Sequence, residues 1–304
     1  MNNYQLFSKR ALMLLGTLAF LSSFVYAEDL KVLKEKTFQM KDYQNFFVDA
    51  SGADVKVVSW DKQEVYVKIS GNDKAASKLK YDVFQDGDVV RVIIKRKSSF
   101  WNWFGSNIRI KVDAFVPAKY NAHVETSGGD IYVKGITGGF RFDTSGGDIT
   151  LVKLNGKVNA ETSGGDIQLT EHYGNMLLST SGGDIVCKGV VGDVKAETSG
   201  GDIQIQQKDG RLFAETSGGD IVIEYSGVNK GIEAETSGGD ISAKLPADFK
   251  ANVHLETTGG SIDSNFSNSK STKVKRSELV AEFNGGGPVL RLETSGGDVT
   301  VDQK

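Results

Sequence analysis

The sequence predicts an all-β chain folded as a single-stranded parallel β-helix, a β-solenoid with coils of about 18 residues and an irregular β-rich N-terminal cap. Three observations carry this expectation. The heptapeptide ETSGGDI at 161 to 167 returns letter for letter at 197, 215 and 235. Its Asp recurs at 130, 148, 166, 184, 202 and 220, a fixed step of 18 residues without insertion. Within each unit apolar residues alternate with polar ones, the period of a strand with one buried face. A period of this length held over consecutive units signals stacked repeats.

Each unit reads as strand, turn, strand, turn. One apolar residue follows the Asp directly (Ile131, Ile149, Ile167, Ile185, Ile203, Ile221) and another stands two further on (Val133, Leu151, Leu169, Cys187, Ile205, Ile223). The second half alternates likewise, as in Val158 and Ala160 or Val194 and Ala196, and then reaches Glu and Thr. Stacking at about 4.8 Å would place Ile on Ile, Ala on Ala and Thr on Thr. A Gly halfway round recurs at 138, 156, 174, 192 and 210.

The repeated corner comprises Gly128, Gly129 and Asp130; Gly146, Gly147 and Asp148; Gly164, Gly165 and Asp166; and Gly182, Gly183 and Asp184. It continues through Gly200, Gly201 and Asp202; Gly218, Gly219 and Asp220; Gly238, Gly239 and Asp240; and Gly296, Gly297 and Asp298. A structural role is expected. Gly-Gly would supply positive φ at a sharp bend, Asp would accept turn amides, and Thr and Ser hydroxyls would bond along ladders of identical neighbours. One cost follows. Identical carboxylates at this spacing repel by about 1 kcal/mol even in water. Turn amides, Lys134, Lys153, Lys188 and Lys195, or bound cations must offset the Asp and Glu rows.

Residues 1–27 read as a cleaved export signal: Lys9 and Arg10, the apolar run ALMLLGTLAFLSSFV, then VYA. Fifteen apolar residues are short for a span, so no transmembrane segment is expected after cleavage. Cleavage takes the formal charge from −3 to −5 by removing two basic residues and no acidic one. That balance argues against nucleic acid as a partner. The lone Cys187 has no disulfide partner within the chain and reads as a small core residue.

Residues 28–120 read as irregular N-terminal β coils or a cap, continuous with the regular repeats of 121–304, and SGADVKV at 51 to 57 looks like a degenerate repeat. Near the other end, the polar Ser/Asn/Lys stretch after residue 264 reads as a loop, followed by an extra strand and the last coil. The segment KRKSSFWNWFGSN carries Phe100, Trp101, Trp103 and Phe104 beside three basic residues. It reads as a hairpin tip folded over the open core, or as an interaction patch.

In combination, SGADVKV, the lead-in VPAKYNAHVETSGGDI, the TSGGDI run and the closing NGGGPVLRLETSGGDVTV resemble the bacterial putative-adhesin repeat family, over residues from about 45 to 304. That family has no assigned function. The resemblance implies a β-solenoid outside the cytoplasm, with adhesion suggested by architecture, and it supplies no catalytic or ligand residue. The 18-residue regularity is stricter than that family leads one to expect.

The expected function is therefore a non-enzymatic, adhesin-like envelope or surface protein. It would bind a protein, glycan or envelope surface through its repeated faces, in the periplasm or at the cell surface, as a monomer or associated end to end. No cofactor and no resident metal are expected. The alternative is a calcium-binding β-roll using Asp148, Asp166, Asp184 and Asp202, but SGGD occurs on only one turn per coil and the opposite turns lack a regular acid. A polysaccharide-active β-helix enzyme is a second alternative. It would need a cluster of acids and bases in a cleft, whereas His123, His172 and His254 are scattered and read as exposed strand or turn positions.

Overall fold

The computed structural model describes residues 30–97 and 107–304. The protein is all-β, 66% strand and 2% helix. The helix Asp73–Lys78 is capped by Asn72, whose Oδ1 accepts the Ala75 N–H at 3.0 Å.

The alternation becomes two long parallel ladders. In the first, Ile131, Ile149, Ile167, Ile185, Ile203, Ile221 and Ile241 pair in one unbroken row. In the second, Phe142, Ala160, Leu178, Ala196, Ala214 and Ala234 do the same. Both rows are buried. Each fully buried Ile contributes roughly 1.5–3 kcal/mol of apolar transfer, so the repeated columns form the core. Cys187 lies inside it, and burial pushes its thiol up to about 12.

A third, shorter run of pairing appears at mid-unit, through Thr137, Asn155, Tyr173, Val191 and Lys208. The simple two-strand unit missed it. The glycines halfway round explain it: Gly156, Gly174, Gly192 and Gly210 have φ between 97° and 133°, and bend the chain while pairing continues.

At both ends the order of layers departs from the order of the chain. The strands Asn45–Ala50 and Asp54–Trp60 pair directly with Asn121–Thr126 and Ile131–Lys134. The later strands Val89–Arg96 and Ile110–Pro117 pair on their opposite side. At the far end, Val289–Thr294 and Val299–Gln303 insert between Ile221–Thr236 with Ile241–Leu245 and the earlier pair Ala251–Thr257 with Ile262–Ser264. The last strand pair in sequence is thus not the last layer.

Antiparallel strands close both ends. Glu64–Gly71 with Lys31–Gln39, and Leu79–Asp86, cover one end; Glu278–Phe283 with Ser269–Lys275 cover the other. The expected Ser/Asn/Lys loop is therefore largely a strand, because hairpin pairing to Glu278–Phe283 overrides its polar composition. Its lysines 270, 273 and 275 lie exposed on an edge, as do lysines 31 and 36 at the other end. Charged edges of this kind disfavour pairing with further chains.

Candidate functional site

The repeated corner is resolved atom by atom. Thr162 is buried and its Oγ1 donates to the carbonyl of Gly147 in the preceding layer at 3.0 Å, while accepting the N–H of its own Gly165 at 3.3 Å. The same donation recurs from Thr126 to Ala53, Thr144 to Gly129, Thr180 to Gly165, Thr198 to Gly183 and Thr216 to Gly201. It continues from Thr236 to Gly219, Thr294 to Gly239 and Thr257 to Gly297. The hydroxyls thus bond layer to layer through backbone carbonyls, all glycine but that of Ala53, not to one another as a ladder of identical neighbours.

The second Gly of the pair is required for a reason other than the one expected. The Gly-Gly corners do not have positive φ. A Cβ on Gly165, Gly183, Gly201 or Gly219 would lie 2.0–2.2 Å from the glycine oxygen of the layer before, so close backbone approach excludes any side chain. The first Gly is freer: a Cβ on Gly146 meets nothing within 4 Å, and one on Gly200 finds its nearest atom at 3.7 Å.

Each Asp points outward, and its Oδ1 accepts the backbone N–H of the Asp one layer on. The row runs from Asp54 through Asp130, Asp148, Asp166, Asp184, Asp202, Asp220, Asp240 and Asp298 to Ser261, at 2.7–3.2 Å. Asp54 belongs to SGADVKV, so the degenerate repeat takes a full place in the row. Turn amides offset the Asp row, one of the expected means. Ser261 ends the row, its N–H and Oγ both donating to Asp298 Oδ1, and this holds the Asp298 carboxyl below its ordinary range. The four aspartates named for calcium, Asp148, Asp166, Asp184 and Asp202, each commit one oxygen to an amide in this way.

The other acidic row is offset in part by side-chain cations. Along the outer face of the second ladder, three acids stand two residues after a Lys or Arg on the same strand and pair with it. Arg141 grips Asp143 through Nε and Nη2 at 2.8 and 3.3 Å, and Arg291 grips Glu293 at 2.5 and 2.8 Å. Lys195 reaches Glu197 at 2.8 Å. In the neighbouring layers, His123 Nε2 lies 2.8 Å from Glu125 and 3.8 Å from Asp143, and His254 Nε2 lies 3.3 Å from Glu256 and 3.5 Å from Glu293. The contacts of His123 with Asp143 and of His254 with Glu293 join residues 20 and 39 positions apart, so linear spacing could not reveal them.

Near the N-terminal end of the same face, an open groove of about 410 Å³ is lined by Asn45, Phe47, Arg91, Asn121, His123 and Arg141. The Phe47 ring meets His123 edge-on at 5.0 Å and lies under the Arg91 guanidinium at 5.1 Å. Aromatic, cationic and amide groups converge here, a lining suited to a polar ligand.

The third histidine does not match the expected exposed position. His172 is fully buried between Leu154 and Val190, and burial pulls its imidazole down to about 4, partly offset by the carbonyls of Gly156 and Leu154. It occupies the inward mid-unit column, where Gln207 and Tyr225 reach the glycine carbonyls of the layer before, Gly192 and Gly210, at 2.8 Å. Phe100, Trp101, Trp103 and Phe104, and the signal segment 1–27, lie outside the described residues. No helix among the described residues is long and apolar enough to cross a membrane.

No curated protein matches this chain. Similar solved structures include a putative adhesin from Bacteroides fragilis, at 14% identity and a TM-score of 0.38, covering 91% of this chain and 98% of that one. A putative lipid binding protein from Parabacteroides distasonis shows 15% identity and a TM-score of 0.36, with coverages of 89% and 96%. A putative adhesin from the same species shows 14% identity and a TM-score of 0.33, with coverages of 89% and 96%. Residues 43–302 match the family model described as Toastrack DUF4097, and the chain belongs to that family.

Proposed function

We propose that the chain is a non-enzymatic, exported β-solenoid with 18-residue coils, acting as an adhesin-like envelope or surface protein. It binds a protein, glycan or surface through its outward columns. The observation that carries this reading is the acidic face of the second ladder, where a carboxylate stands in each layer from Glu125 to Glu256 except the one that carries Ser179. Such a face offers carboxylates at multiples of about 4.8 Å, which suits a repetitive ligand by multivalency. Ion pairs two residues apart set Asp143, Glu197 and Glu293 beside cations on their own strands. The groove beside Phe47 gives the face a distinct end.

Co-purification of the full exported chain from native envelope, with mass spectrometry of what is retained and a glycan array in parallel, tests this. Retention of one partner or glycan class, weakened by replacing Glu197, Glu215 and Glu235 with Gln, is expected. A folded chain that retains nothing, and a cell surface unchanged on deletion, would sink the reading.

A further inference from the structure

The acidic face carries the same four-residue constellation twice, from unrelated stretches of chain. At one end His123 and Glu125 lie beside Arg141 and Asp143; at the other His254 and Glu256 lie beside Arg291 and Glu293. In each, the His-x-Glu strand lies on the side of the Arg-x-acid strand nearer that end of the stack. Three donor atoms, one imidazole nitrogen and two carboxylate oxygens, lie within 4.8 Å of one another in both.

The spacing fits a divalent ion. Zinc–nitrogen and zinc–oxygen bonds of about 2.0–2.2 Å in tetrahedral array put donors about 3.4 Å apart. His254 Nε2 stands 3.3 and 3.5 Å from its two carboxylates, and His123 Nε2 stands 2.8 and 3.8 Å from its own. A second observation points the same way. His123 Nε2 is shielded from solvent and makes no hydrogen bond of acceptable geometry, although two carboxylates surround it. Convergent donors without an aligned hydrogen bond are what a shared cation would satisfy at this triad; His254 Nε2 instead meets Glu256 Oε2 at hydrogen-bond distance, 3.3 Å, and its triad rests on the donor spacing and the shared constellation. The arginine need not compete: it holds the inner carboxylate in place while each carboxylate oxygen retains a second lone pair, the role of an outer partner that orients a ligand.

We propose that each triad binds one divalent transition-metal ion of the zinc class, His123, Glu125 and Asp143 forming one site and His254, Glu256 and Glu293 the other. Three protein ligands leave a fourth position open, so a metal at either end could bridge to a carboxylate or imidazole of a partner. Imidazole with carboxylate oxygens suits Zn²⁺ or Co²⁺ better than Ca²⁺. This inference stands apart from what the acidic face binds.

The test is calorimetric titration of the untagged, metal-free mature chain with Zn²⁺, and visible absorption with Co²⁺ as the reporter of tetrahedral geometry. Two equivalents bound are expected, falling to one in His254→Gln, to one in His123→Gln and to none in the double variant, with circular dichroism unchanged. Glu256→Gln, which keeps the histidine, should weaken its site at least about tenfold. Loss of one equivalent in only one of the histidine variants upholds that triad and overturns the other. No binding by the unaltered chain up to about 1 mM, where an affinity is only about −4 kcal/mol, or unchanged binding in the double variant, overturns both.

Discussion

The backbone N–H of Asp166 donates to Oδ1 of Asp148 at 2.9 Å, so the carboxylate of one layer is held by the amide of the same residue in the next. Like charges in a row become acceptors in a row, and the repulsion of about 1 kcal/mol per neighbouring pair is set against a charge-assisted bond to each carboxylate. Asp166 in turn accepts from the Asp184 N–H at 2.8 Å. Asp166→Ala should therefore lower stability by about 1–2 kcal/mol, whereas Asp166→Asn keeps the acceptor, sheds the charge and should stay within about 0.5 kcal/mol. Urea unfolding midpoints of the two variants decide; equal losses would contradict the acceptor role.

The two glycines of a corner should respond oppositely. A Cβ on Gly201 would sit 2.0 Å from the Gly183 oxygen, while one on Gly200 clears its nearest atom by 3.7 Å. Gly201→Ala should force the layers apart and cost about 3 kcal/mol or more. Gly200→Ala should be neutral or stabilising by up to about 1 kcal/mol through the unfolded chain. Thermal unfolding of the pair checks this difference directly.

Thr198 donates to the Gly183 carbonyl at 2.9 Å and accepts the Gly201 N–H at 3.4 Å. Thr198→Val keeps the shape and strands two buried backbone groups, an expected loss of about 1–3 kcal/mol. Thr198→Ser keeps the hydroxyl and should recover most of it in the same denaturation assay.

How much of this was legible in the sequence differs from residue to residue. The Ile and Ala columns, the buried Thr row and the acceptor role of Asp follow from alternation and an 18-residue period, because identical neighbours in a parallel stack see identical surroundings. The reason for the second Gly did not follow: φ and close approach both select Gly, and only the geometry separates them. The layer order at the ends was hidden because the connection from Trp60 to Asn121 does not say on which side the inserted strands stack. His123 and Asp143, or His254 and Glu293, meet only across layers. His172 was misread because a polar residue at an inward position looks like a break in the pattern until its column is known.

His172 makes stability depend on pH. Its folded pKa of about 4 lies below the ordinary 6.5, so the unfolded chain takes up the proton first as pH falls. Stability should be complete above about 6.5, decline through the window and lose about 3 kcal/mol by about pH 4. His172→Leu, matching its column neighbour Leu154, should flatten this part of the urea-unfolding profile. An unchanged profile would contradict the assignment.

The central claim is that register, not any single copy of the motif, holds the molecule together. Excising Ile185 through Asp202 removes one full repeat and rejoins Asp184 to Ile203, leaving every column continuous; excising Val186 through Asp202, one residue fewer, shifts all later side chains to the opposite face. Thermal unfolding followed by circular dichroism tests the two deletions side by side. The account predicts a single cooperative transition within about 5 °C of the full chain for the first and no cooperative transition for the second. Equal behaviour of the two deletions would contradict it.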